Sequence, residues 1–243
     1  MRADVVLLPR DLKAGQLDGR AAVVFDVLRA SSSMTAALSA GVSEIRIYGD
    51  IAAAAAARKE FSGAGLLSGE QNAVRPPGFD LGNSPGAFRA DEHAGLTMFL
   101  STTNGTKAIL ACTAAKVVFV GALVNASAVA KAVGETGLNV ILLCAGTNGE
   151  VSMEDLLGCG AVLDALSRDW PLILESDTAF IASRLFAACR RELPAALRES
   201  RGGHNIKAAG LLPDIDFCAR LDSSNIAGQV FGNPPIVRLR AIS

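Results

Sequence analysis

Residues 23–38, Val23-Val24-Phe25-Asp26-Val27-Leu28-Arg29-Ala30-Ser31-Ser32-Ser33-Met34-Thr35-Ala36-Ala37-Leu38, pass within a few positions from buried-strand to helical composition. The β-branched run reads as a strand of a parallel sheet. Serine-rich sequence ahead of an Ala/Leu/Met segment reads as a helix N-terminus. A strand-loop-helix corner of this kind commits the chain to an α/β architecture. In open α/β sheets ligands bind beyond the carboxyl ends of the strands, and free N–H groups at a helix start favour an anion. Asp26 and Arg29 stand at that junction, so the site is expected there.

The pattern repeats. Gly41 ends the first helix, Glu44 to Tyr48 alternates as a strand, and Asp50 N-caps an Ala-rich helix from Ile51 to Phe61, giving βαβα. Further strands are predicted at 66–69, 97–101, 116–120 and 139–144. Polar corners follow three of them: Thr102-Thr103-Asn104-Gly105-Thr106-Lys107, Asn125-Ala126-Ser127 and Ala145-Gly146-Thr147-Asn148-Gly149. The expectation is a single domain over 1–243, a three-layer α/β/α fold with a mainly parallel or mixed central sheet, one rim of which carries small polar residues. Asp4 to Leu8 reads as an edge strand, 177–192 as a helix, 214–221 as a short amphipathic segment, and 236–239 as a C-terminal strand with an exposed edge. That edge and the Ala-rich helices are compatible with a homodimer.

Two features have both a local and a functional reading. Ser84-Pro85 closes the long loop 71–82 and is either a helix cap or part of a site. Ser152-x-x-Asp155 is either a capping box or a source of a rim carboxylate. His93, in Asp91-Glu92-His93, reads as solvated, whereas His204 follows Gly202-Gly203, glycines that either admit a ligand or form a turn.

Composition excludes several classes. A net charge of −1 without like-charge runs, and one Trp and one Tyr, argue against a nucleic-acid surface or a basic membrane face. The apolar runs are too short to cross a bilayer, and five scattered cysteines without a C-x-x-C pair read as reduced residues of a cytoplasmic protein. Phosphate-loop, dinucleotide, zinc-protease and nucleophile-elbow motifs are missing. What remains is a set of carboxylates at strand ends, Asp26, Glu70, Asp80 and Asp155. Mg²⁺ is typically held by one or two carboxylates, waters and substrate phosphate, which suits that set.

At this level the chain resembles the 2-phosphosulfolactate phosphatase family, magnesium-dependent enzymes of coenzyme M biosynthesis. The likeness lies in Asp26-Val27-Leu28-Arg29-Ala30-Ser31, Gly69-Glu70, Gly78-Phe79-Asp80-Leu81-Gly82-Asn83-Ser84-Pro85, Thr102-Thr103-Asn104-Gly105-Thr106, Asn125-Ala126-Ser127-Ala128, Cys144-Ala145-Gly146, Glu154-Asp155 and the spaced Ser200, His204, Gly210 and Asp214. The resemblance implies hydrolysis of the phosphate ester of 2-phosphosulfolactate or a related phosphorylated hydroxy acid. Asp26 and Glu70 would hold Mg²⁺, with help from Asp80 or Asp155, and Arg29 would neutralise phosphoryl charge. Ser31, Asn83, Ser84, Thr102, Thr103, Asn104, Gly105, Thr106 and Lys107 would bind the substrate's anionic groups. The chain departs from the pattern at Gln71, where an arginine is usual. The competing reading is a non-catalytic small-anion sensor of the same fold, which would have no need of the carboxylates.

Overall fold

Alternation of side chains along buried strands builds two cores around one sheet. The computed structural model describes residues 1–240. In chain order its elements are β1 (Arg2–Val6), β2 (Ala21–Phe25), α1 (Ala30–Ser39), β3 (Glu44–Ile47), α2 (Ile51–Glu60), β4 (Gly65–Gly69), α3 (Ala90–His93), β5 (Thr97–Ser101), α4 (Gly105–Ala111), β6 (Val117–Gly121), α5 (Ala126–Gly134), β7 (Val140–Cys144), α6 (Met153–Asp169), β8 (Ile173–Leu174), α7 (Asp177–Cys189), α8 (Leu193–Glu199), α9 (Arg201–Ala208), α10 (Leu212–Cys218), β9 (Gly228–Phe231) and β10 (Ile236–Leu239). Every residue of β2 is buried. Ala21, Val23 and Phe25 enter a core with Val129 and Val133 of α5, Leu157 and Val162 of α6 and Phe186 of α7. Ala22 and Val24 enter the other, with Met34 and Leu38 of α1 and Ile109 of α4. Period-two alternation thus puts helices on both faces, which is the expected three-layer α/β/α arrangement.

The sheet has ten strands in the order β4-β5-β3-β10-β9-β6-β2-β7-β1-β8. Strands β4, β5 and β3 form one parallel block, and β6, β2, β7, β1 and β8 form another. Between them β10 pairs antiparallel with both β3 and β9, and β9 pairs antiparallel with β6, so the two blocks run in opposite senses along the sheet. The corner after β5 nevertheless abuts the corner after β2: a Cβ on Gly105 would lie 2.6 Å from the Ala30 Cβ and 2.8 Å from Asp26 Oδ2, which is why glycine opens α4.

Two edge expectations are corrected. The N-terminal strand is interior, with β7 on one side and the two-residue β8 on the other. The C-terminal strand is interior as well, held between β3 and β9, so it offers no free edge; β9, unanticipated from sequence, is the strand that covers it. Helix α7 ends at Cys189, three residues earlier than predicted, and the tail from 193 to 218 folds into the three short helices α8 to α10. Among the described residues no helix is long and apolar enough to cross a membrane.

Candidate active site

The serines after β2 fix the corner rather than face a ligand. Ser31 Oγ accepts the Asp26 N–H at 2.6 Å, Ser32 Oγ donates to the Val27 carbonyl at 2.8 Å, and Ser33 Oγ donates to the Asn83 carbonyl at 2.7 Å. Asp26 Oδ1 in turn accepts the Ala30 N–H at 3.2 Å, so the carboxylate caps the first turn of α1. Its Oδ2 makes no protein hydrogen bond and is not among the fully buried unpaired atoms, which leaves it open to the cleft above.

That cleft has a volume of about 430 Å³. Asp26, Leu28, Arg29 and Glu70 form its floor with Asn83, while the turn Asn72 to Val74 makes one wall. Thr103 and Asn104, the turn residues Thr147 and Asn148, and the α9 side of the tail complete it. Two tight turns face the opening. Gln71 and Val74 exchange backbone hydrogen bonds around Asn72 and Ala73, and Thr147 and Glu150 do so around Asn148 and Gly149. The central residues all have positive φ, 53° and 64° in the first turn and 53° and 78° in the second, as a type I′ turn requires. The Asn104 Oδ1 accepts the Asn148 N–H at 3.3 Å, tying the second turn to the β5 corner. Glu70 bridges two walls, since Oε1 accepts from the Thr103 N–H at 2.7 Å and Oε2 from the Ala73 N–H at 2.8 Å.

Arg29 is enclosed. Its Nη1 donates to Asp214 Oδ2 at 2.8 Å and to Ser84 Oγ at 3.1 Å, and Nη2 donates to the Ala73 carbonyl at 3.0 Å. Its Nε has no protein partner and is not a buried orphan, so this N–H, with Arg29 on the cleft floor, is a donor left for a ligand. Burial pushes the Asp26 carboxyl up to about 7, and the negative charges of Glu70 and Glu154 add to the effect. Glu154, 1% exposed, is raised chiefly by burial; Oε1 accepts the Gly202 N–H at 3.0 Å, and Oε2 is buried without a partner. Burial likewise holds Asp155 well above the ordinary carboxylate range.

Of the residues singled out from sequence, the fold brings Asp26, Arg29, Glu70, Asn83, Thr103 and Asn104 to one cleft. Ser84 stands just behind, its Oγ donating to Asp214 Oδ2 at 2.8 Å and making no side-chain cap for the 3₁₀ turn that begins at Pro85. Ser31, Thr102, Gly105 and Thr106 are buried behind the lining. Thr102 and Thr106 bond each other, Thr106 N–H to Thr102 Oγ1 at 3.2 Å and Thr106 Oγ1 to the Thr102 carbonyl at 2.8 Å. Lys107 points to solvent on α4 and does not line the cleft.

Asp80 and Asp155 lie off the cleft. Asp80 is exposed, and Oδ2 accepts the Leu67 N–H at 2.7 Å, covering the outer edge of β4 as a further strand would. Asp155 accepts the Val27 N–H at 2.9 Å and the Gly146 N–H at 3.0 Å. It joins two strand-end corners beneath the floor, and the Ser152 side chain makes no capping bond. His204 is exposed within α9 and outside the lining. His93 is buried instead of solvated, its Nδ1 accepting the Arg89 N–H at 3.0 Å. Sequence reading missed Asn72 and Asn205, and named Thr147 and Asn148 within a polar corner and the ion-pair partner Asp214 within a spaced pattern without giving them a role. Only Asn148-Gly149 carried a recognisable signature, that of a type I′ turn.

Oxygen donors dominate the floor. Asp26 and Glu70 share it with the Asn83 Oδ1, a buried acceptor that no protein donor reaches. Among the described residues no three His, Cys, Asp or Glu side chains cluster as a protein-only metal cage. A hard cation that keeps waters and takes oxygens from its substrate needs no such cage.

A family model described as 2-phosphosulpholactate phosphatase matches residues 6–231. A protein of Carboxydothermus hydrogenoformans described as "Probable 2-phosphosulfolactate phosphatase" is 36% identical over 230 residues, covering 94% of this chain and 93% of its own. Proteins with the same description from Thermotoga petrophila, 36% identical with 90% and 91% covered, and Clostridium novyi, 30% identical with 98% and 100% covered, align as extensively.

Proposed function

This chain belongs to the 2-phosphosulpholactate phosphatase family, and we propose that its cleft hydrolyses the phosphate ester of 2-phosphosulfolactate, with Mg²⁺ and in the cytoplasm, to give sulfolactate and inorganic phosphate. The observation that carries the reading is the meeting of Asp26, Arg29, Glu70 and Asn83, from three separate segments, on the floor of one cleft.

Asp26 and Glu70 would hold the ion with the Asn83 Oδ1 as a neutral third oxygen. The fit is supported by the unpaired Asn83 acceptor and by Asp26, whose proton affinity burial and neighbouring carboxylates raise in the absence of a cation. When bound, the ion supplies Lewis-acid polarisation of the phosphoryl group. Arg29 orients the phosphoryl oxygens through its free Nε–H, while three of its other N–H donors are spent on Asp214, Ser84 and Ala73. Water is the nucleophile: its oxygen bonds to phosphorus as the ester P–O bond breaks, and its proton goes to the departing alkoxide oxygen. Ser31 and Thr102, the hydroxyls nearest in sequence, are bonded within their corners and do not line the cleft. A sensor would gain nothing from two carboxylates placed against an anionic ligand.

The test is phosphate release from 2-phosphosulfolactate with Mg²⁺ and with EDTA, for wild type and Asp26→Asn. Metal-dependent release that Asp26→Asn abolishes is the expected result. Tight binding without release would replace the enzyme by the sensor.

A further inference from the structure

Five of the nine asparagines in the chain line this one cleft: Asn72, Asn83, Asn104, Asn148 and Asn205. Asn83 is on the floor, 3% exposed; the other four stand around the mouth, contributed by the two tight turns, the β5 corner and α9. Against them, the only cationic side chain among the lining residues is Arg29, and its Nη1 is already committed to Asp214 and Ser84. Lys107, the cation closest in sequence to the β5 corner, faces solvent. Gln71 is exposed at the foot of its turn and is not part of the lining. Asn104 has its Oδ1 occupied by the Asn148 N–H, so its Nδ2 is left to donate.

We infer that Asn72, Asn104, Asn148 and Asn205 form the subsite for the substrate's sulfonate, the acid group on the carbon next to the phosphorylated one, and that this neutral subsite selects a sulfonate over a carboxylate at that position. The inference rests on the phosphatase reading above. A carboxylate is a strong base, heavily hydrated, and its desolvation is repaid best by a charge-assisted, bidentate partner such as a guanidinium fork. The mouth offers none. A sulfonate spreads its charge over three weakly basic oxygens, gives up less hydration, and presents three acceptors to amide donors that arrive from separate elements. Uncharged donors also leave the carboxylates on the floor to the cation.

The experiment compares kcat/KM for three phosphate esters that share one carboxylate: 2-phosphosulfolactate, 2-phosphomalate with a second carboxylate in place of the sulfonate, and 2-phospholactate with no second acid group. Calorimetric binding of sulfolactate and malate in Mg²⁺ accompanies it. Wild type should favour the sulfonate over the carboxylate by about tenfold or more in both assays. Asn205→Arg, a change on the exposed face of α9, should bring that ratio below about threefold by a gain on the carboxylate ligands. Asn148→Asp, which tolerates the same positive φ, should lose more on the sulfonate ester than on 2-phospholactate. Melting curves show that the variants are folded. Equal handling of sulfonate and carboxylate by wild type, or an Asn205→Arg ratio unchanged from wild type, would overturn the inference. Failure to hydrolyse any of the three esters would sink the phosphatase reading instead, and the sulfolactate-to-malate binding ratio would still decide the subsite.

Discussion

Asp214 Oδ2 lies 2.8 Å from Arg29 Nη1 and 2.8 Å from Ser84 Oγ, so one carboxylate oxygen of α10 holds both the β2 corner and the end of the 71–84 segment. The pair is nearly sealed, with side-chain exposures of 2% for Arg29 and 9% for Asp214. Through it the C-terminal helices are part of the site and not an appendage.

Removing one partner of a sealed ion pair leaves the other charge buried alone. Asp214→Ala should therefore lose about 3–5 kcal/mol of stability, read from urea unfolding. Asp214→Asn, which keeps an acceptor, should lose clearly less. Equal losses for the two would show that the charge does not matter.

Arg29→Ala should lower kcat/KM by about a hundredfold or more, the equivalent of about 2.7 kcal/mol of transition-state contact. Arg29→Lys should recover little, because an ammonium cannot serve Asp214, Ser84 and the Ala73 carbonyl and still offer a donor to the ligand. Turnover within about threefold of wild type in Arg29→Ala would remove Arg29 from the mechanism.

The pH dependence of the cation-free protein has a definite sign. Asp26 sits near 7 in the folded state against 3.8 as a free side chain. Between those values the native state retains a proton that the unfolded chain has released, so the stability that Asp26 contributes is greatest below about 4 and is lost as pH rises through about 7. Glu154 and Asp155 shift in the same direction. In chelator, unfolding at pH 8 should need less urea than at pH 5.5, and Asp26→Asn should shrink the difference. A wild-type midpoint that rises over this range would contradict the burial argument.

Asp155 and Asp26 should separate cleanly. Asp155→Ala removes the acceptor for the Val27 and Gly146 amides and should cost about 1–3 kcal/mol for each group left unpaired. It should leave the Mg²⁺ affinity of the folded protein within about twofold, whereas Asp26→Asn should weaken it by about tenfold or more. Calorimetric titration at low temperature distinguishes the two.

Gly202→Ala tests how closely α9 must approach. Its added Cβ would lie 2.1 Å from Glu154 Oε1, so either the buried Glu154 carboxylate or the helix itself must give way. The expected loss is about 1–3 kcal/mol, together with weaker substrate binding, because Asn205 rides on the same helix.

Much of this was legible in one dimension, for local reasons. The unbroken apolar, β-branched run that ends at Phe25, the serines that start α1 and the glycine that starts α4 each report a backbone need met within a few residues, so element types and the position of the Asp26 corner could be read. Asp80 and Asp155 were misplaced at the site for a related reason. A carboxylate after a strand looks the same in sequence whether it faces a cleft, covers a strand edge as Asp80 does for Leu67, or satisfies two buried amides as Asp155 does.

The sequence by itself determined a helix-flanked sheet with polar corners at its strand ends, because side-chain period, capping and turn chemistry act between near neighbours. Only the tertiary structure decided which corners meet. The β9–β10 insertion reverses one parallel block against the other, and the corner after β5 still packs against the corner after β2. The Arg29–Asp214 pair spans 185 residues, and four asparagines from separate segments share one mouth. Such contacts depend on where the sheet carries each segment, which no local property of the chain encodes.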